Sequence, residues 1–165
     1  MAAQKKKKKN TLLSVNADVA DNRRARFEYH LEDQFEAGIM LVGTEVKSLR
    51  HGQCSIGEAY VGPRNGEIWI FNCHIPEYAP AGQQNQHEPK RPRKLLLNKK
   101  EVDKLLGAVT RDGYTIIPTK MYFDGKGRAK LKISLAKGKK LHDKRATEKA
   151  RDWGRDKARI MRDRG

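Results

Sequence analysis

Residues 115–135 read TIIPTKMYFDGKGRAKLKISL and contain two candidate β-strands with a turn between them. In the second half, apolar residues alternate with mainly cationic ones, which predicts a strand with one apolar and one basic face. Pro118 interrupts the first half, and it predicts an edge strand or a β-bulge there because proline lacks a backbone N–H. The stretch therefore predicts a β-hairpin that turns at Asp124–Gly127.

Similar alternation occurs upstream of this hairpin. From Phe27 to Leu41 apolar and polar residues largely alternate, which predicts strand structure, and Gly38 inside the run predicts a bulge or a bend. Between two further strand-like runs, Asn65-Gly66 is typical of a hairpin turn because both residues tolerate a positive φ.

Two segments are typical of helices. Gly43–Arg50 is predicted to be a short helix that ends before Gly52. Asn98 followed by Glu101 resembles a capping box, and the apolar residues after it fall on one helical face. These are Val102, Leu105, Leu106 and Val109. The strands and helices do not alternate regularly, which excludes a parallel α/β sheet.

This order predicts a mainly β fold. We expect an antiparallel β-barrel resembling the oligonucleotide-binding (OB) fold, with about six strands and about three flanking helices. The barrel is expected to span residues 22–140. Residues 1–21 are expected to be a disordered basic segment, and residues 141–165 a basic tail that is disordered when free.

The charge is concentrated at the two ends of the chain. The 165 residues carry a formal net charge of +16. Residues 1–26 contain eight Lys/Arg and two Asp/Glu, and residues 137–165 contain twelve and five, whereas residues 27–75 contain three and seven. Such segregation favours a polyanionic partner, above all a nucleic acid, because phosphates release counterions when cations approach them. A solvated surface with disordered tails is the alternative.

Several classes of protein and site are not indicated. No apolar run is long enough for a transmembrane helix, and none follows the lysine run as in a secretory signal. Cys54 and Cys73 are interpreted as core thiols of a cytoplasmic protein. The histidines show no metal-site or catalytic spacing, so we expect no enzyme, metal or cofactor. A metal-dependent nuclease using acidic residues of the first strand is the enzyme alternative. Those residues are Glu28, Glu32, Asp33 and Glu36.

Six motifs together resemble the small protein B family of bacterial SsrA-binding proteins. They occur in the family's order between about Asn22 and Met161. The motifs are Asn22-Arg-Arg-Ala-Arg26, Phe35-Glu-Ala-Gly38, Gly43-Thr-Glu-Val-Lys-Ser-Leu-Arg50, Arg93-Lys-Leu-Leu-Leu-Asn98, Lys137-Gly-Lys-Lys-Leu-His-Asp-Lys-Arg145 and Arg151-Asp-Trp153.

The resemblance implies a function in ribosome rescue. Members bind the tRNA-like part of transfer-messenger RNA and carry it to ribosomes stalled on messages without a stop codon. The RNA then encodes a degradation tag for the incomplete polypeptide, in the process called trans-translation. The tail enters the empty message channel of the small subunit near the decoding centre and becomes helical there. The implied partners are this RNA and the ribosome, and the protein is expected to be a monomer.

The family's motifs also imply site residues by position. The RNA-binding set is Asn22, Arg23, Glu36, Leu96, Asn98, Gly138, Lys139 and Lys140. The set expected to act in the ribosome is His142, Asp143, Lys144, Arg145, Trp153, Ile160 and Met161.

Alternatives remain open at this point. Leu96 is also interpretable as a core residue, and Asn98 as a helix cap. Gly154 stands where relatives carry Gln, and glycine weakens a helix by about 1 kcal/mol relative to alanine. A general ribosome-associated basic protein without RNA preference is the second functional hypothesis.

Overall fold

The computed structural model describes residues 12–138 and 141–163. Seven strands and four α-helices follow one another along them. The strands are β1 (Ala17–Asp21), β2 (Tyr29–Ile39), β3 (Tyr60–Arg64), β4 (Glu67–Phe71), β5 (Arg93–Leu96), β6 (Thr115–Phe123) and β7 (Ala129–Gly138). The helices are α1 (Arg23–Glu28), α2 (Gly43–Arg50), α3 (Lys99–Arg111) and α4 (Leu141–Asp163).

All strand pairings are antiparallel and close a ring. The order is β6-β3-β4-β5-β2-β7, and β7 returns to pair with β6, while β1 pairs with β6 from outside the ring. The expected mainly antiparallel architecture is therefore confirmed, with seven strands where about six were expected. The described residues form four α-helices where about three were expected.

The interior of the ring is apolar. Alternate strand residues point into it, among them Ile70, Leu131 and Ile133, which are fully buried. Leu105 of α3 and Leu49 of α2 are also fully buried against this core. Burial of such side chains contributes about 1.5–3 kcal/mol each and holds the two helices on the sheet.

Several local predictions agree with the structure. Asn65 and Gly66 have φ of 52° and 74°, as the predicted turn between β3 and β4 requires. The Asn98 carboxamide oxygen accepts a hydrogen bond from the Glu101 N–H at 3.0 Å and begins α3. The register of β6 against β7 shifts between Pro118 and Lys120, which is the predicted bulge. Because β6 pairs on both sides, it is not an edge strand.

The predicted strand start at Phe27 is wrong, because residues 23–28 form α1. Asn22 caps this helix: its side-chain oxygen accepts from the Ala25 N–H at 3.3 Å, and its amide nitrogen donates to the Pro118 carbonyl at 2.9 Å. Ala25 packs against Ile117 and Ala136 on the outside of the ring. An apolar contact on the outside of the ring of strands therefore outweighs the local alternation.

The role predicted for Gly38 is also wrong. The irregularity of β2 against β7 lies between Leu31 and Gln34, and Gly38 pairs regularly with Lys130 and Leu96. A Cβ atom at Gly38 would lie 3.1 Å from the Leu96 Cβ. A side chain at this position would crowd Leu96, so glycine suits the close approach of β2 and β5.

Both chain ends contain regular secondary structure. Ala17–Asp21 form β1, because their backbone groups pair with β6, whereas residues 1–21 were expected to be disordered. Residues 1–11, with the lysine run, lie outside the described residues. Leu141–Asp163 of the tail form helix α4, and the tail's Ala, Arg, Lys and Glu residues favour a helix intrinsically. That the tail is disordered when free of the ribosome stays a prediction.

Candidate nucleic-acid interface

The outer face of β2, β7 and β6, together with the end of β5, carries Glu36 and Leu96, two of the predicted RNA-binding residues. The burial of successive residues shows which side chains of β2 face outward: Ala37 is fully buried, whereas Glu36 is exposed. Glu36 pairs with Lys132 on β7, which in turn pairs with Lys120 on β6. We call the surface formed by Glu36, Gly38, Leu96, Lys120, Tyr122, Lys130 and Lys132 the basic outer face.

Tyr122 lies in the middle of the basic outer face. The Lys132 ammonium lies 5.4 Å from the centre of its ring, in the range of a cation–π contact. Its hydroxyl is buried without a hydrogen-bond partner among the described residues. Burial, and then the nearby Glu36 carboxylate, raise the pKa of Tyr122 well above its usual range. Tyr122 therefore stays neutral on the basic outer face.

Leu96 is half exposed, so it is not a core residue. It lies beside Gly38 at one wall of an open cleft of about 370 Å³. Ile39, Leu41 and Val46 provide further apolar walls, and Arg128 and Lys130 lie at the rim. An apolar floor with cationic rims suits the flat face of a nucleobase and the phosphate attached to it.

The side chains of Asn98 and Asn22 make hydrogen bonds within the protein that stabilise the fold. The amide nitrogen of Asn98 donates to the Glu101 carboxylate at 2.5 Å, in addition to the helix cap. Asn22 is 6% exposed and its amide is satisfied inside the protein. The Asn22 N–H donates to the Thr119 carbonyl at 2.9 Å, and the Thr119 hydroxyl donates to the Lys132 carbonyl at 3.2 Å. These bonds anchor the exposed Arg23 next to the basic outer face.

The remaining predicted residue of the barrel lies at the other end of β7. Gly138 pairs with Tyr29 and is exposed. The structure therefore does not bring Gly138 together with Glu36 and Leu96. Lys139 and Lys140 lie outside the described residues.

The tail helix α4 presents charged side chains to solvent over most of its described length. Trp153 is 68% exposed, and Arg145 is exposed as well. The Arg151 guanidinium lies 5.5 Å from the centre of the Phe27 ring, which is the described contact between α4 and α1. For His142, Asp143, Lys144, Ile160 and Met161 the structure gives helical backbone, and their side chains lie outside the described part.

The acidic residues considered for a metal site have separate partners. Glu28 pairs with Arg24 at 3.1 Å, and Asp33 pairs with Lys104 at 2.9 Å. The Tyr114 hydroxyl donates to Glu32 at 2.7 Å, which raises the pKa of Tyr114. Over residues 12–138 and the described tail, no three His, Cys, Asp or Glu side chains form a metal-binding group. In the same residues no helix is long and apolar enough to cross a membrane.

Five residues of the basic outer face were missing from the predicted site: Gly38, Lys120, Tyr122, Lys130 and Lys132. The cationic face of β7 is visible in the sequence as alternation, so Lys130 and Lys132 were recognisable candidates. Lys120 and Tyr122 join the face only through the register of β6 against β7, which crosses a bulge. A one-residue bulge reverses which side chains face outward, and Pro118 predicts an irregularity there without giving the partners of Lys120 and Tyr122 on β7.

Comparison with known proteins gives consistent matches. Residues 19–163 match the model of the family described as "SmpB protein". An SsrA-binding protein of Afipia carboxidovorans is 61% identical over 147 residues, which cover 89% of this chain and 93% of that protein. One from Nitrobacter hamburgensis is 62% identical with the same coverage. A chain of the solved structure "tmRNA-SmpB: a journey to the center of the bacterial ribosome" is 43% identical with a TM-score of 0.61, and the match covers 74% of this chain and 85% of that one.

Proposed function

We propose that this chain, which belongs to the SmpB protein family, binds transfer-messenger RNA and acts with it on stalled bacterial ribosomes. The observation that carries the proposal is the agreement of the family match over residues 19–163 with a basic outer face on the barrel. Its place of action is the bacterial cytoplasm, and the protein serves as an RNA-binding adaptor without chemistry of its own.

The ring of strands functions as an OB-like barrel that presents the basic outer face to the tRNA-like domain. Lys120, Lys130 and Lys132 contact phosphates, and each contact releases a counterion. Glu36 accepts a hydrogen bond from a base edge or a 2′-hydroxyl. Leu96 packs against a base in the adjoining cleft. Asn22 and Asn98 position the backbone around this surface, and Arg23 and the Gly138-Lys139-Lys140 element extend it.

The tail has a separate role in the ribosome. Residues 141–165 carry nine Lys/Arg and five Asp/Glu, and Trp153 is largely exposed on α4. A helix with so little apolar burial gains stability from an RNA-lined channel, through phosphate contacts and stacking of Trp153 or His142. Asp143, Lys144, Arg145, Ile160 and Met161 belong to the same tail and act near the decoding centre.

Two assays on the same variants test whether the ring of strands binds the RNA while the tail acts in the ribosome. In the full-length chain, replacing Asp143-Lys144-Arg145 with alanines should leave the affinity for transfer-messenger RNA within about twofold and abolish tagging on ribosomes stalled without a stop codon. Deleting the chain after Lys140 should do the same. Normal tagging by either variant contradicts the proposed role of the tail.

Competition distinguishes this function from general binding to ribosomal RNA. Ordinary tRNA should displace labelled transfer-messenger RNA from the protein only at a large excess. If tRNA and transfer-messenger RNA compete equally in a gel-shift titration, the protein is a general basic ribosome-associated protein.

A further inference from the structure

Two cysteines that the RNA-binding function does not use lie side by side, next to the ends of the β3–β4 hairpin. The Cys54 and Cys73 sulfurs are 3.8 Å apart, although the residues are 19 positions apart in the sequence. Cys73 is fully buried, whereas Cys54 is partly exposed, and both are free thiols. The residues that follow them, Ser55 and His74, form an antiparallel bridge with N–H to carbonyl distances of 2.9 and 3.0 Å. This bridge fixes the backbone beside both cysteines, which flank it diagonally with their sulfurs in contact.

The surroundings distinguish the two thiols. A hydrogen bond from Cys54 lowers the pKa of Cys73, against the effect of burial, and the nearby Arg93 guanidinium lowers it further. The same hydrogen bond and burial raise the pKa of Cys54. Arg93 itself is fixed, because it donates to the Cys73 carbonyl at 2.7 Å and is paired with the buried Glu45. Cys73 is thus the thiol better prepared to attack, and Cys54 the one that solvent reaches.

We propose that Cys54 and Cys73 form a reversible oxidation site, which a peroxide converts to an intrachain disulfide. The ionised thiol of the pair attacks a peroxide oxygen, the O–O bond breaks, and its sulfur becomes a sulfenic acid as one water leaves. The neighbouring thiol then attacks that sulfur, the S–O bond breaks, and a second water leaves. One hydrogen peroxide is reduced to two waters while two thiols are oxidised to one disulfide.

The geometry requires little movement for this reaction. Bonded sulfurs lie about 2.05 Å apart, so the two must approach by less than about 2 Å. The bond closes a loop that contains the whole β3–β4 hairpin and ties its base to the chain before β3. Constraining that loop in the unfolded chain stabilises the folded protein. A dithiol compound reverses the reaction by exchange.

The test uses the full-length protein treated with hydrogen peroxide at neutral pH. Under denaturing conditions the number of free thiols should fall from two to zero, with a mass lower by two hydrogens and no covalent dimer. The melting temperature should rise by roughly 5–10 °C, and dithiothreitol should restore both values. Thiols that persist, dimers, or added oxygen atoms in place of a disulfide overturn the proposal.

Single variants provide the matched control. Cys54→Ser and Cys73→Ser each remove one partner, so peroxide should then raise the melting temperature of neither variant. If either variant shows the same rise as the unsubstituted protein, the stabilisation does not come from this disulfide. If the unsubstituted protein forms the disulfide but melts at a lower temperature than its reduced form, the stabilising role is wrong.

Discussion

Glu36 is an exposed carboxylate on a surface otherwise dominated by lysines. A surface that only bound phosphates would have no use for a carboxylate at this position. Its neighbours Phe35 and Ala37 point into the core, so removing the carboxylate leaves the packing unchanged. We expect Glu36→Gln to weaken binding of transfer-messenger RNA by roughly 10- to 100-fold, because hydrogen bonds to a charged group contribute about 1.5–3 kcal/mol. Filter-binding titrations measure the effect.

The matched control is Glu77→Gln, which removes the same charge from an exposed position in the loop after β4. It should leave the affinity within twofold. Equal losses in both variants would mean that general charge, and not a specific contact of Glu36, sets the affinity.

Glu45 is a residue-scale determinant of stability. Burial alone would raise the pKa of this fully buried carboxylate, but hydrogen bonds from Arg91 at 2.5 Å, from the Val42 N–H at 2.9 Å and from Arg93 outweigh it. The pKa of Glu45 therefore lies below its value in the unfolded chain. The stabilisation that Glu45 contributes is present above pH 4.5, the pKa of this carboxyl in the unfolded chain. It is lost as the pH falls through the lower pKa of Glu45 in the folded protein.

Urea unfolding should accordingly show the free energy of unfolding falling as the pH drops below about 4.5. Glu45→Gln should cost about 3–5 kcal/mol at pH 7, because two arginines lose their shared partner. The loss relative to the unsubstituted protein should shrink at low pH. A difference that stays constant from pH 7 to pH 3 would show that Glu45 titrates normally.

At the scale of elements, α4 depends on its own sequence because little of it packs against the barrel. Gly154 is exposed, and a Cβ atom there would meet nothing within 4 Å. Gly154→Ala should therefore stabilise the helix by about 1 kcal/mol without a steric cost. Circular dichroism of the full-length chain should show increased helicity and a tail that frays at a higher temperature. Unchanged helicity would mean that contacts with α1, such as Arg151 with Phe27, already fix α4.

Elements with strong local signals were predictable, and those defined by distant contacts were not. Asn98 and the apolar stripe of α3 determine that helix within 13 residues, so its prediction was correct. For α1 the deciding contacts are Asn22 with Pro118 and Ala25 with Ala136, about a hundred positions away. The composition of the basic outer face was predictable to the same degree: the motifs name Glu36 and Leu96, whose role in RNA binding stays a prediction, whereas Lys120 and Tyr122 join the face only through the register of β6.

At the scale of the whole molecule, the net charge of +16 predicts a strong salt dependence of RNA binding. Each phosphate contact should contribute roughly 0.7–0.9 to the slope of log affinity against log salt. Lys132→Ala should therefore lower the magnitude of the slope by the contribution of about one phosphate contact, which is roughly 0.7–0.9. Lys100→Ala, an exposed charge at the start of α3, is the control and should leave the slope unchanged. A slope near zero for the unsubstituted protein would exclude phosphate contacts as the main source of affinity.

The closed ring also constrains how the chain reaches its fold on the ribosome that synthesises it. Tyr29 pairs with Gly138, and β2 makes its longest set of backbone pairings with β7. The first long strand to emerge must therefore remain without its main partner until almost the whole barrel has been translated. Such distant pairings slow folding to the range of about milliseconds to seconds. Premature release of a nascent chain before β7 would leave β2 with an open edge, which exposes the truncated product to aggregation.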